Sequence, residues 1–267
     1  SGMALGGSGL FTQTLFRNPL ADPSLLGINA GAALGAALAT MVIGSIPLVA
    51  GFTLTVCCAL LGALVVLFLL LSVSRRLASA TAVLLVGVML SFIVSSVLSI
   101  LAHRASADGL RHYQLWLLGD CSSVSWEVLP LFSLLILVLI AIVLPRLRKL
   151  DAWLLGDFYA QSLGIAVERE RIVMLAIVGL LSALVTALCG PIAFVGLAAP
   201  HAARLLSLQG SHQRLLPLTL LLGSLSLLLC QLVARLSIWG EAQLPLNAVT
   251  PLIGAPIMVV LLLQRRT

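Results

Sequence analysis

The chain has 267 residues, 61% of them hydrophobic and 9% charged, with a formal net charge of +6 at neutral pH. Soluble domains carry roughly a quarter of their residues as charged side chains, so this composition, with a mean hydropathy of +1.18, excludes a water-soluble globular protein. What is left is an integral membrane protein, whose positive balance has a topological explanation and needs no nucleic acid.

Residues 1–16, SGMALGGSGLFTQTLF, are apolar and glycine-rich but too short to cross a bilayer, and no charged signal-peptide start precedes them. They read as the back half of a span, so the chain is expected to lack the segment before them. In the next stretch, FRNPLADPSLLGINAGAALGAAL, Asn18-Pro19 and Asp22-Pro23 forbid helix continuation, and Ser24 is placed to cap the helix that follows. Gly27, Gly31 and Gly35 recur every four residues along it and form one ridge of small residues. Such a ridge lets a second membrane helix approach closely, where no hydrophobic drive exists to bring helices together.

A hydrocarbon core of about 30 Å needs roughly 20 helical residues. Apolar windows of that kind lie at 25–44, 48–73, 81–102, 128–144, 172–189, 191–206, 215–239 and 245–263. The window at 191–206 is short and contains Pro191 and Pro200, so a broken or tilted helix is expected there, with protein neighbours rebonding the freed backbone.

Orientation follows from Lys and Arg, which are retained on the cytoplasmic side near span ends. With the loop at Arg17 inside, alternation places twelve of the fifteen basic residues inside, from Arg75 and Arg76 through Arg146, Lys149, Arg171 and Arg204 to Arg265 and Arg266 at a cytoplasmic C-terminus. Arg104, Arg111 and Arg235 alone fall outside.

The five cysteines form no C-x-x-C pattern. Cys57, Cys58, Cys189 and Cys230 fall inside spans, where cysteine packs as a small hydrophobe, and Cys121 stands by itself in an external segment. No structural disulfide is expected. His103 and His112, in the external segment 103–126, suggest haem ligation only superficially, since a loop rich in Arg, Asp and Ser accounts for two solvated histidines. No metal site and no cofactor are expected.

Every carboxylate, from Asp22 to Glu241, lies at a span end or in a loop. Ion-coupled carriers place ionisable groups inside the membrane, so intrinsic ion coupling is disfavoured. The chain also lacks the glycine-rich phosphate loop G-x-x-x-x-G-K-[ST], and Lys149, its single lysine, follows no glycine loop. It therefore does not hydrolyse ATP, and no catalytic set is present to make it an enzyme.

A bundle without an energy source can borrow one from a partner. The inside connection LLGDFYAQSLGIAVERER, residues 154–171, is the candidate contact: Asp157 can cap a helix, 158–163 make under two turns, and Gly164 can close it in the left-handed C′ position. Exposed Phe158, Tyr159 and Leu163 would then fit a groove of another protein, or rest against lipid headgroups.

Four separated blocks, FRNPLADPSLLGINAGAALG, LLGDFYAQSLGI, CGPIAFVGLAAPHAARLL and LPLNAVTPLIGAPIMVVLLL, resemble in the same order the permease subunits of type II ATP-binding cassette importers, the FecCD family for iron-siderophores, haem and vitamin B12. The resemblance implies an all-helical polytopic bundle with ten helices in the family. About eight full spans and a partial N-terminal one are expected here, with residues 1–267 forming a single transmembrane permease domain that lacks the family's first helix and part of the second. It implies a homodimer or a pair with a related permease, two separate ATP-binding subunits, an extracytoplasmic binding protein, and a place in the bacterial inner membrane.

By position, Gly156, Asp157, Ala160, Leu163 and Gly164 match the element that couples to the ATPase. Ser79, Ala80 and Thr81 match the small-residue cytoplasmic gate, with Ala80 departing where a hydroxyl residue can occur. Arg235 matches a position that docks the binding protein. His201 and Arg204, one turn apart, read either as a tie between the broken helix and the coupling region or as a satisfied core histidine and a headgroup anchor. The cargo path is expected along 81–102 and 245–263. An iron-siderophore complex is the default cargo, with haem or cobalamin behind it and an ion-coupled secondary transporter as the competing class.

Overall fold

The computed structural model describes residues 1–42, 48–77, 79–122, 124–207, 210–236 and 244–264, with side chains outside the description over 48–52 and 257–264. The expected inside residues Arg265 and Arg266 and the loop carboxylate Glu241 lie outside the described residues.

The architecture is an all-helical polytopic bundle. Its helices are α1 (Gly2–Leu15), α2 (Ile28–Ala37), α3 (Leu48–Ser74), α4 (Ala80–Arg104), α5 (Ala107–Leu117), α6 (Leu129–Val143), α7 (Leu147–Leu154), α8 (Asp157–Ser162), α9 (Val167–Cys189), α10 (Val195–Leu206), α11 (His212–Arg235) and α12 (Leu246–Gln264). Each of the eight apolar windows overlaps a helix, but 25–44 holds only the ten-residue α2 and 191–206 only the twelve-residue α10. Among the described residues, five stretches are long and apolar enough to cross a membrane: Thr53–Ser74, Ala80–Arg104, Leu129–Leu154, Val167–Cys189 and His212–Arg235.

The glycine-rich start forms α1, which is buried over nearly its whole length between α9, α10 and α11. Small residues make this position possible. A Cβ at Gly9 would overlap the backbone of Gly196 on α10, and one at Gly6 would sit 2.9 Å from the Thr219 carbonyl on α11. Backbones this close gain dispersion contact along their whole length.

The loop after α1 behaves as its prolines require, but its cap is Asp22, not Ser24. The Asp22 carboxylate accepts from the Ser24 N–H at 2.8 Å and starts a single 3-10 turn, Pro23–Leu26. Ser24 lies inside that turn and cannot cap it. Gly27 ends the turn with φ +79, a left-handed conformation that favours glycine. It is thus outside the helical ridge expected of it, and its Cβ position faces the Gly87 carbonyl of α4. Gly31 and Gly35 do form a ridge, against Gly62 and Cys58 of α3. After α2 a π turn, Leu38–Val42, carries the chain on.

The expected break near 191–206 sits at its start. Residues 190–193 lie outside regular secondary structure, Gly190 and Phe194 have positive φ, and the twelve-residue α10 follows with Pro200 inside it. Freed backbone groups are rebonded as a membrane interior demands: the Cys189 carbonyl accepts from the Asp120 N–H at 2.8 Å, and the Phe194 carbonyl accepts from Ala198 at 2.8 Å.

Two helices went unread in the sequence. Segment 103–126 contains α5, which Ser106 caps by accepting from the Gly109 N–H. The connection after α6 begins with α7, whose Leu147, Leu150 and Trp153 are buried at three-residue spacing.

Candidate functional site

The bundle has two ends. At one, α7 and α8 lie across the base of α9. Glu170, in the first turn of α9 with a side chain 10% exposed, accepts from Lys149 Nζ at 2.8 Å and pairs with Arg146 Nε at 3.2 Å. Asp151 accepts from both the backbone N–H and Nδ1 of His212, at 2.8 and 2.5 Å, and His212 Nε2 lies 2.7 Å from the Thr14 hydroxyl of α1. Helix α7 is thereby held to α9 and α11, and α11 in turn to α1, through the buried partners Glu170 and His212. Buried charges and amides that are paired in this way are expensive to separate.

Helix α8 projects from this anchored base. Asp157 was expected as its N-cap, but the cap position is Gly156, with φ +131, and Asp157 is the first helical residue. The carboxylate is directed elsewhere. It accepts from Trp153 Nε1 at 2.7 Å and pairs with Arg17, from the loop after α1, and with Arg171 Nη2 at 3.4 Å. An exposed pair such as Arg17–Asp157 contributes about 1 kcal/mol or less, so its value is geometric: three segments meet on one carboxylate.

The end of α8 follows the sequence expectation. Gly164 has φ +77, its N–H donates to Gln161, and Ile165 donates back to Ala160, which closes the helix in the left-handed C′ motif. Ala160 is fully buried, whereas Phe158 is 88% and Leu163 56% exposed, with Tyr159 also outward. The helix thus turns one small residue inward and three large apolar ones outward.

Ser79, Ala80 and Thr81 open α4. The Ser79 hydroxyl accepts from the Ala82 N–H at 3.1 Å and caps the helix; Ser79 and Thr81 are exposed and Ala80 is half-buried. Their neighbour Leu77 offers its carbonyl to Arg171 Nη1 at 3.4 Å. Arg171, 5% exposed, therefore touches Asp157 on one side and the start of the α4 connection on the other. Nothing local in the sequence marked Arg17 for this role, because its partner lies 140 positions away, whereas Trp153 and Arg171 lie 4 and 14 positions from Asp157 and went unread.

Arg204 is part-buried and turned towards α1. Its Nη1 donates to Gln13 Oε1 of α1 at 2.5 Å, and Gln13 Nε2 reaches the Leu197 carbonyl at 3.4 Å, so α10 is tied to α1; His201 beside it is buried. At the opposite end of the bundle, Arg235 stands exposed at the close of α11. There Asn247 of α12 donates its N–H to Leu118 at 3.0 Å, and Cys189 meets the segment after α5. Cys121 is not alone as expected: the residue before it, Asp120, donates its N–H to the Cys189 carbonyl, which places Cys121 beside Cys189. Among the described residues no cluster of three or more His, Cys, Asp or Glu could hold a metal ion.

The profile of the FecCD transport family matches residues 1–264. The chain belongs to the FecCD transport family. Relatives of this FecCD chain include the vitamin B12 import system permease protein BtuC of Klebsiella pneumoniae subsp. pneumoniae, 36% identical over 99% of this chain and 78% of that protein. BtuC of Escherichia coli O9:H4 is 37% identical over 99% of this chain and 79% of its own length. Among solved structures, an inward-facing conformation assigned to a metal-chelate type ABC transporter superposes with a TM-score of 0.87 at 32% identity, covering 98% of this chain and 83% of that one. PsaBC from Streptococcus pneumoniae, solved with a Fab, shares the fold with a TM-score of 0.57 at 17% identity. The FecCD chain is thus the multi-pass transmembrane permease of a type II ABC importer and is not itself an enzyme; ATP hydrolysis belongs to a separate subunit.

Proposed function

We propose that residues 1–267 form one permease domain that imports a metal chelate across the bacterial inner membrane, with α7 and α8 as the element that receives the stroke of the ATPase. The observation that carries this reading is the pairing of a clamped base with an outward apolar tip. A contact that passes force must be rigid behind and adhesive in front, and α7 is bonded to α9 and α11 while Phe158, Tyr159 and Leu163 face out. Gly156, Asp157, Ala160, Leu163 and Gly164 are its residues. Motion of α8 reaches the gate residues Ser79, Ala80 and Thr81 through Asp157, Arg171 and Leu77, and it reaches α1 through Arg17.

The partners of this reading are two ATP-binding subunits on the α8 side, a binding protein that meets Arg235 on the other, and a second permease, either a copy or a related chain. The second permease is supported by α4, whose Leu85, Met89, Phe92 and Ile93 are more than half exposed. With α8 inside, the C-terminus is cytoplasmic, and cargo passes between the α4 and α12 faces of the two permeases.

For cargo we favour an iron-siderophore complex. Cobalamin is the second reading, favoured by the names of the BtuC relatives. Uptake of radiolabelled cobalamin and of a ferric siderophore into proteoliposomes carrying the assembled importer separates the two. The test of the coupling element is Leu163→Asp in the same proteoliposomes. The variant is expected to insert and fold but to lose uptake and the ATPase response to loaded binding protein. Full retention of both activities would remove α8 from the coupling role.

A further inference from the structure

We propose that Cys121 and Cys189 are a thiol-oxidation site, able to form a reversible disulfide at the end of the bundle opposite α8. Cys189 is the last residue of α9, a helix about 34 Å long at 1.5 Å per residue whose other end carries Glu170 and Arg171. Cys121 follows α5. The two backbones are already joined there, since the Asp120 N–H donates to the Cys189 carbonyl at 2.8 Å. Ser1 triangulates the side chains: its hydroxyl lies 3.2 Å from Cys189 Sγ, and it lines with Cys121 a cavity of about 420 Å³ between α1, α6 and α11.

Because the chain at Asp120 is already hydrogen-bonded to Cys189, a rotation of the Cys121 side chain towards its neighbour replaces a backbone rearrangement. The neighbouring Cys189 thiol and burial hold the Cys121 thiol above its usual range, which lowers its thiolate fraction and slows its attack on an oxidant.

The co-reactant is a small disulfide, RSSR. One thiolate attacks a sulfur of RSSR, forming a mixed disulfide and expelling RS⁻, which takes up the proton lost by the thiol. The second thiolate then attacks the protein sulfur of that mixed bond and expels the second RS⁻. In sum two protein thiols are oxidised, RSSR is reduced to two RSH, and one Cys121–Cys189 bond forms. Cys121 borders the cavity and is half-buried, whereas Cys189 is 1% exposed, so the first attack belongs to Cys121. Disulfides persist in oxidising extracytoplasmic compartments, and the placement of this pair on that side rests on the reading of α8 as cytoplasmic. The bond would fasten the end of α9 to the segment after α5, which Asn247 already fastens to α12.

The experiment uses the full-length permease in right-side-out membrane vesicles treated with oxidised glutathione, then iodoacetamide, then trypsin without reductant. The expected product is peptide 112–146 joined to peptide 172–204, with alkylation of Cys121 and Cys189 falling together by at least tenfold and that of Cys57, Cys58 and Cys230 unchanged. Reductant should restore both thiols, and Cys121→Ser should abolish the joined peptide. Full alkylation of both cysteines after oxidation, or a Cys121 linked to a second copy of the chain, would overturn the site. If the bond forms only after the vesicles are opened, the pair stands and the sidedness assigned from α8 falls.

Discussion

Helices α9 and α4 are close to indistinguishable as strings of residues. The first spans Val167–Cys189 with a mean hydropathy of 2.7, the second Ala80–Arg104 with 2.6, yet 72% of the apolar window of α9 is buried inside the subunit and only 17% of that of α4. Lipid tails are as apolar as leucine, so hydrophobicity sends both into the membrane and gives neither a place within it. Their small residues differ. Gly179, Ser182, Ala183, Thr186 and Ala187 of α9 are buried at spacings of three and four, and α1 and α3 pack against this helix. In α4 the glycine is Gly87, fitted under Gly27, while Phe92, Ile93 and Ile100 point outward. One helix is the spine of the subunit and the other is a face kept for something outside it.

The most severe way to break the comparison is to spoil a close approach within the core. Gly35→Leu puts a side chain into the Cys58 backbone of α3, where no rotamer offers escape. Loss of monodisperse permease in detergent is expected, and normal yield would show that α2 and α3 do not pack as described.

Next in size is a matched pair of truncations. Leu181→Ala in α9 removes a fully buried side chain and should cost about 2–5 kcal/mol. Ile93→Ala in α4, 61% exposed, should change the stability of the single subunit by about 0.5 kcal/mol or less while weakening association of two permeases. Thermal unfolding and cross-linking of the dimer read the two effects. Equal losses of subunit stability would erase the distinction between spine and face.

A smaller effect belongs to the anchored base. Asp151→Asn leaves His212 without its carboxylate partner and should destabilise the fold by about 1–3 kcal/mol, read by thermal unfolding. The conservative replacement also tests coupling, because a loosened α7 should raise basal ATPase relative to the stimulated rate.

The smallest effect on the fold is expected at the far end. Arg235→Glu should leave unfolding unchanged and weaken binding-protein docking by roughly 1 kcal/mol at low salt, fading as salt is added. Unaltered affinity at low salt would take Arg235 off the docking surface.

By itself the sequence determined the membrane class, the positions of the apolar helices, the stop after α1 and the left-handed close of α8. These properties rest on apolar runs of roughly 20 residues and on the backbone chemistry of Pro and Gly over a few neighbours. It was ambiguous wherever a short polar residue had two possible employments. Ser24 read as a cap where Asp22 is the one that caps, Asp157 read as a cap where it pairs, and Gly27 fitted a four-residue period although it makes a turn. Helices α5 and α7 carried a cap and a three-residue apolar spacing, signals that are weak in short polar stretches. Only the tertiary structure decided that Arg17 and Arg171 meet on Asp157, that Arg204 turns to Gln13, that α9 is enclosed and α4 is not, and that Cys121 faces Cys189. Each of these joins residues from 14 to 191 positions apart, and no local preference encodes which partner the closing of the bundle will bring.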